Sequence, residues 1–362
     1  MMIYVIYFVF LIAGALISKK SHSGKAYLFV IMAFLFAIIG LRDTTVGPDT
    51  LGYTHDFYRL TQLQFSQMCK VALESTEPLY VIISWLPSVF TDNYSAYLLA
   101  WALFPVISLY KVFKAELRDG VDYMIAILVF FMLGLFAFFV AGIRQTAALS
   151  LTFLGAGYLT KINTQSFRTF IKDKNFYIFL LYVAIAYLIH NSAVMFLLAI
   201  PCLFFKVRWW YLFLVIGMFG LGNYVQVDQI VSVSRYLFND RFAAYGTSYK
   251  SSQSLSAFLM QFILFLICYL QIQKLKTRTY SNNFLFILMF VGLIFQSLSG
   301  LMAEMARMSF YFCMFSMLLV PRAFKEYRPK IRPLLYIGFT MLSLYYLFFL
   351  ANSNLPEYHS VL

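Results

Sequence analysis

Apolar runs recur every 20 to 30 residues along this 362-residue chain, leaving room for about a dozen membrane spans of ~20 residues each. No other feature narrows the outcome as much. Only 12% of the residues are charged, where a soluble domain carries about 25%, and a water-soluble globular enzyme is thereby excluded. The runs are near-continuous and do not alternate with a period of two, so the spans are helices and not strands of a transmembrane barrel. Crossings are assigned to 1–17, 26–41, 94–113, 123–141, 145–160, 176–189, 191–205, 209–225, 255–273, 284–303, 308–320 and 333–351. The first run lacks a basic leader and a small-residue cleavage site, so it reads as an uncleaved span.

The net charge is +13, yet the 28 basic residues lie between the apolar runs and form no single water-facing patch, which argues against a nucleic-acid partner. They sort by side instead. Counting through the spans puts 20 of the 28 on one side, among them Lys19, Lys111, Lys161, Lys274 and Lys325, with only 5 acidic residues; the other side holds 8 basic and 10 acidic residues. Retained loops are enriched in Lys and Arg, so the first side is cytoplasmic. The parity closes only if 78–90, short and interrupted by Pro87, enters the membrane without crossing it, as a re-entrant segment. The run 176–205 has cytoplasmic cations at both ends and is expected to fold back near His190 and Asn191. The whole of 1–362 is then one integral membrane domain, with two large external loops at 42–77 and 226–254. The four cysteines, Cys69, Cys202, Cys268 and Cys313, have no disulfide or metal-site spacing.

Eight basic residues remain on the disfavoured side: Arg42, Arg59, Lys70, Arg144, Arg235, Arg241, Lys250 and Arg307. Arg42, Arg144 and Arg307 each stand at the outer end of an apolar run, where a guanidinium is costly unless paired or bound. One such arginine can snorkel to lipid headgroups. Three together suit an anion, since the planar fork grips phosphate in two places and stays charged. Nearby, Gly47-Pro48-Asp49 signals a turn, and Asp43 or Asp49 can accept a hydroxyl proton or orient Arg42. Glu77 opens the re-entrant segment, from which a carboxylate reaches membrane depth. His190, at the fold-back, is either a satisfied buried histidine or a base. Gln145 follows Arg144, Glu304 precedes Arg307 by one turn, and Arg241 and Tyr245 share the second external loop.

Arg42-Asp43 with Gly47-x-Asp49-Thr50-x-x-Tyr53, Glu77-Pro78-x-Tyr80, Arg144-Gln145, His190-x-Ser192-Ala193 and Arg241-Phe242-x-x-Tyr245 together resemble the EpsG/Wzy family of polysaccharide polymerases. The resemblance implies a multi-span fold similar to GT-C glycosyltransferases, in the bacterial inner membrane, with both large loops periplasmic. It also implies transfer of a growing O-antigen or exopolysaccharide glycan from undecaprenyl diphosphate onto a hydroxyl of a lipid-linked repeat unit. Donor and acceptor are both lipid-borne, and a chain-length-regulating copolymerase is an implied partner. No cofactor and no metal are expected, since no external Asp-x-Asp pair or His cluster offers a divalent site.

The residues fit such a reaction. Arg144 and Arg42 are the leading candidates to stabilise charge on a departing diphosphate, and His190, Asp49 or Glu77 has the chemistry of a general base. Asp43, Tyr53, Gln145, Arg241, Tyr245, Glu304 and Arg307 complete the expected substrate contacts. Two rivals stand beside this reading. A flippase or transporter of lipid-linked sugar would call for polar groups at the midplane in broken helices. A glycan O-acetyltransferase would use the histidine as base but needs an acyl-donor motif that the cytoplasmic face lacks.

Overall fold

The computed structural model describes residues 1–21, 23–162, 167–224, 255–278 and 280–361. Loop 226–254, with Arg241 and Tyr245, lies outside the described residues. In chain order the helices are α1 (Met2–Ser21), α2 (Gly24–Gly40), α3 (Thr50–Thr61), α4 (Phe65–Glu74), α5 (Pro78–Trp85), α6 (Tyr94–Glu116), α7 (Gly120–Met132), α8 (Leu135–Ala141) and α9 (Ile143–Leu159). Then follow α10 (Phe167–Lys172), α11 (Lys174–Ile189), α12 (Ala199–Cys202), α13 (Tyr211–Tyr224), α14 (Leu255–Tyr269), α15 (Ile272–Arg278), α16 (Tyr280–Ser297), α17 (Ala303–Cys313), α18 (Ser316–Glu326) and α19 (Arg332–Tyr345). Among the described residues there is no strand, only an isolated bridge between Arg42 and Ser360. The protein is an all-α membrane protein.

Among the described residues three helical stretches are long and apolar enough to cross a membrane alone: Met2–Lys19, Tyr94–Glu116 and Arg332–Leu350. A fourth is the pair α7 and α8, bent by 63°. The run 123–141 is therefore not one straight helix. Gly134 sits at the break with φ of 71°, a conformation that side chains with a Cβ rarely adopt. Asn354 satisfies the carbonyls freed there, donating to Phe131 and Met132 at 3.2 Å each. Two other runs are also interrupted: 308–320 is divided between α17 and α18, and 191–205 begins as a 3-10 helix, Asn191–Leu198, before α12. The segment 78–90 is the short helix α5 with a 3-10 turn, Leu86–Val89. Pro78 occupies the first turn of α5, where its missing N–H costs nothing.

Buried all round, α7 forms the centre of the large core, which is the expected fate of a helix apolar on every face. A smaller core lies near the start of α9, where Tyr53, Phe57, Tyr80, Tyr97, Trp101, Ile143 and Ile189 pack together. The stretch 42–77, expected as an external loop, contributes to it through α3 and α4, so it is a helical cover and not a free loop.

One end of the bundle carries a cluster of ion pairs. There Lys325 reaches Asp119 at 3.0 Å and Asp122 at 2.6 Å, and Arg322 pairs with Glu116 and donates to Asn282 at 2.7 Å. These contacts gather the α6–α7 junction, the start of α16 and the end of α18. Asp119 also caps α7, accepting from the N–H groups of Val121 and Asp122 at 3.0 Å. Asp122 is 6% exposed, and its carboxylate depends on Lys325. Replacing Lys325 by Met should lower stability by about 2–3 kcal/mol, short of a fully buried pair because the lysine is partly exposed. Adding Asp122→Asn should restore most of the loss, as thermal unfolding of the purified protein would show.

Candidate active site

Residue Glu77 precedes a proline, which disfavours helical backbone and leaves it as the extended N-cap of α5, with φ of −128° and ψ of 64°. From there its carboxylate points between α9 and the end of α11. Oε2 accepts from Arg144 Nη1 at 2.7 Å, Oε1 lies 2.7 Å from His190 Nδ1, and the Asn191 backbone N–H donates to Oε1 at 3.3 Å. Three segments far apart in sequence thus meet on one carboxylate that is 7% exposed. Burial pushes the Glu77 carboxyl up, but the hydrogen bond and charge of His190, the Arg144 guanidinium and the Asn191 N–H outweigh it and hold the carboxyl below its ordinary value.

Arg144 stands in the first turn of α9, where the helix dipole disfavours a cation. Glu77 compensates, and aromatic walls hold the guanidinium flat, with Cζ 5.0 Å from the Tyr80 ring centre and 5.8 Å from that of Tyr53. Tyr80 is itself fixed by a 3.2 Å hydrogen bond to Asp56. The Arg144 side chain remains 40% exposed, so the face of the fork turned from Glu77 meets the outside. An anion placed there would gain from both the guanidinium and the α9 N-terminus.

His190 ends α11 in extended conformation, and the chain reverses into the 3-10 helix 191–198. A neutral imidazole that gives Nδ1–H to Glu77 keeps Nε2 as an acceptor, and the ring is 26% exposed. Glu77 thus orients His190 through Nδ1 while it anchors Arg144, and both its oxygens are occupied in doing so. Beside the reversal, Ser192 Oγ meets the buried Tyr311 hydroxyl at 2.9 Å.

The other expected residues are placed as follows. Arg42 is 1% exposed and does not share the Glu77 cluster; one Nη donates to Ile39 O and the other to Val140 O at 2.9 Å. Those carbonyls belong to the last turns of α2 and α8, so Arg42 caps two helix C-termini. Burial draws its pKa down to about 10, and it stays cationic at neutral pH. Asp43 folds onto Thr45, accepting from its N–H at 2.9 Å and its hydroxyl at 2.8 Å, and so shapes the turn. Asp49 is the exposed N-cap residue of α3. Tyr53 is 8% exposed and forms one wall of Arg144. Gln145 is buried and donates to Arg307 O at 3.3 Å, which ties α9 to α17 beside the cluster. The Arg307 side chain is exposed, that of Glu304 partly so, and neither makes an ion pair among the described residues. Tyr80, Asn191 and Tyr311 were not singled out from the sequence as site residues. The spacing Glu77-Pro78-x-Tyr80 carried the signal for Tyr80, since one turn of α5 stacks it beside the carboxylate.

Among the described residues no group of three or more His, Cys, Asp or Glu side chains is placed to hold a metal ion. The model of the EpsG family matches residues 25–360. No curated protein and no solved structure matches the chain.

Because the Glu77 carboxyl is held below its ordinary 4.5, its contribution to stability is complete above pH 4.5 and is lost as pH falls further. Thermal unfolding of the wild type and of Glu77→Gln should therefore differ by about 1–3 kcal/mol at neutral pH and converge in acid below that value. An equal gap at every pH would exclude the ionised carboxylate as the origin.

Proposed function

The chain belongs to the EpsG family, and on that premise we propose that it is a polysaccharide polymerase of the glycosyltransferase type. It transfers a growing O-antigen or exopolysaccharide glycan from undecaprenyl diphosphate onto a hydroxyl of a lipid-linked repeat unit, at the periplasmic face of the bacterial inner membrane. In this reading the architecture is GT-C-like with twelve crossings, 78–90 is re-entrant, and 42–77 and 226–254 are the periplasmic loops. A reporter fused after Arg278 should accordingly be cytoplasmic and one fused after Tyr245 external.

One observation carries the reading: a single buried carboxylate holds a guanidinium and an imidazole side by side at one end of the bundle, each with a face left open. Breaking the bond between sugar and diphosphate develops negative charge on the leaving oxygen, and Arg144 stabilises it. The acceptor hydroxyl attacks the anomeric carbon while its proton passes to His190 Nε2, and Glu77 stabilises the resulting imidazolium. Direct displacement inverts the anomeric centre. Arg307, exposed on α17 next to Gln145, gives the diphosphate a second cation, and Tyr53 offers the sugar ring a hydroxyl. Arg42 supports the site from beneath. The transfer is proposed to need no metal, the neutralising charge coming from arginine; loss of activity with chelator and its return with a divalent ion would refute that. A copolymerase that limits chain length is the proposed partner.

Lysine cannot reproduce the bidentate, ring-stacked geometry of arginine. Arg144→Lys should reduce long-chain surface glycan in complemented knockout cells by about a hundredfold or more, and His190→Ala similarly. Single-unit lipopolysaccharide should accumulate in the deletion strain, whereas a flippase defect would trap lipid-linked units inside. Intact long chains from Arg144→Lys would remove that residue from the reaction.

A further inference from the structure

At the end of the bundle opposite Glu77, a slot of about 310 Å³ opens between α6, α9, α16 and α18. Its depth is apolar, with Phe153, Leu154, Leu285 and Phe315 on its walls, and its mouth carries Lys111 and Lys161. Along α9, Lys161 stands roughly 25 Å from Arg144 at 1.5 Å per residue, so the slot is separate from the candidate active site. The acidic residue on the slot, Glu116, is committed to Arg322. Lys111 and Lys161 have no acidic partner among the described residues. Lys161 rests its ammonium 4.8 Å from the Tyr158 ring centre, and Tyr158 stacks on Tyr182 at 5.6 Å, which fixes one side of the mouth. Gly157 forms part of the wall, and a Cβ there would meet nothing within 4 Å. The adjoining cleft of about 760 Å³ is different: Arg322 and Lys325 pair there with Glu116 and Asp122, and its lining, which also includes Arg118 and Arg332, is mostly charged or polar and lacks the apolar walls an acyl chain needs.

We propose that this slot binds one anionic glycerophospholipid of the leaflet at that end, its phosphate between Lys111 and Lys161 and an acyl chain against Phe153, Leu285 and Phe315. Two ammonium groups with no acidic partner among the described residues, beside apolar walls, match a molecule that is anionic at one end and hydrocarbon at the other. A zwitterionic headgroup brings its own cation to the same place and loses the advantage. The slot volume falls within the range of small-molecule clefts. The proposal is independent of the chemistry at the other end.

The test uses the full chain purified in neutral detergent, with native mass spectrometry and thermal unfolding in added phosphatidylglycerol, phosphatidylcholine or inorganic phosphate. The wild type should retain one phosphatidylglycerol and melt a few degrees higher with it, while phosphatidylcholine and phosphate do neither. In Lys111→Ala/Lys161→Ala, binding should weaken about thirty-fold, the factor that two lysines near an anionic surface contribute. Gly157→Leu keeps both cations but fills the open wall and should also lose the retained lipid. Each variant is compared with its own lipid-free melting temperature, which separates a folding defect from lost binding. Equal retention of the two lipids, a matching shift from phosphate alone, or unchanged phosphatidylglycerol binding in either variant would overturn the proposal.

Discussion

An ionised carboxylate taken out of water must be surrounded by donors, because the cost of leaving it unpaired runs to several kcal/mol. Glu77 is in that position, and this end of the molecule is organised around meeting its demand. Pro78 keeps its backbone out of the helix, α9 brings Arg144 from one side, and the reversal after α11 brings His190 and a backbone N–H from the other. The small core of Tyr53, Tyr80, Tyr97 and Trp101 excludes water beneath, which strengthens these attractions. A charge network of this kind holds three segments in register while presenting a cation and a basic nitrogen outward.

Arg42 and Arg144 show why residue type and membrane depth do not define a role. Both follow the same expectation, an arginine at the outer margin of an apolar run. Arg42 meets the unsatisfied carbonyls of two helix ends and is consumed by them. Arg144 sits at a helix start, where the backbone offers N–H groups instead, so only a side-chain carboxylate can hold it. Helix polarity separates the buttress from the exposed site.

Much of the architecture was legible because burial in lipid demands long apolar stretches whose ends are chemically marked. The runs 94–113, 145–160 and 176–189 correspond to Tyr94–Glu116, Ile143–Leu159 and Lys174–Ile189. The breaks were not legible. The bend at Gly134 is bridged by Asn354, more than 200 residues away, which donates to the Phe131 and Met132 carbonyls, and no local window contains that information. For the site, the motif fragments named Glu77, Arg144 and His190, yet left open which carboxylate serves the histidine. Asp43 and Asp49 are equally acidic on paper, but one is spent on a local turn and the other faces water at the start of α3. Only the path of the chain decides between them.

The segment that supplies Asn354 also threads back along the rim formed by α1 and the residues after α2. Tyr4 donates to Pro356 O, Asp43 N–H to His359 O, and Val361 N–H to Leu41 O. These are among the longest sequence separations in the molecule, and such closures form late because the intervening chain must first be placed. The rim beside the buried Arg42 therefore closes only once the segment 356–361 has been placed.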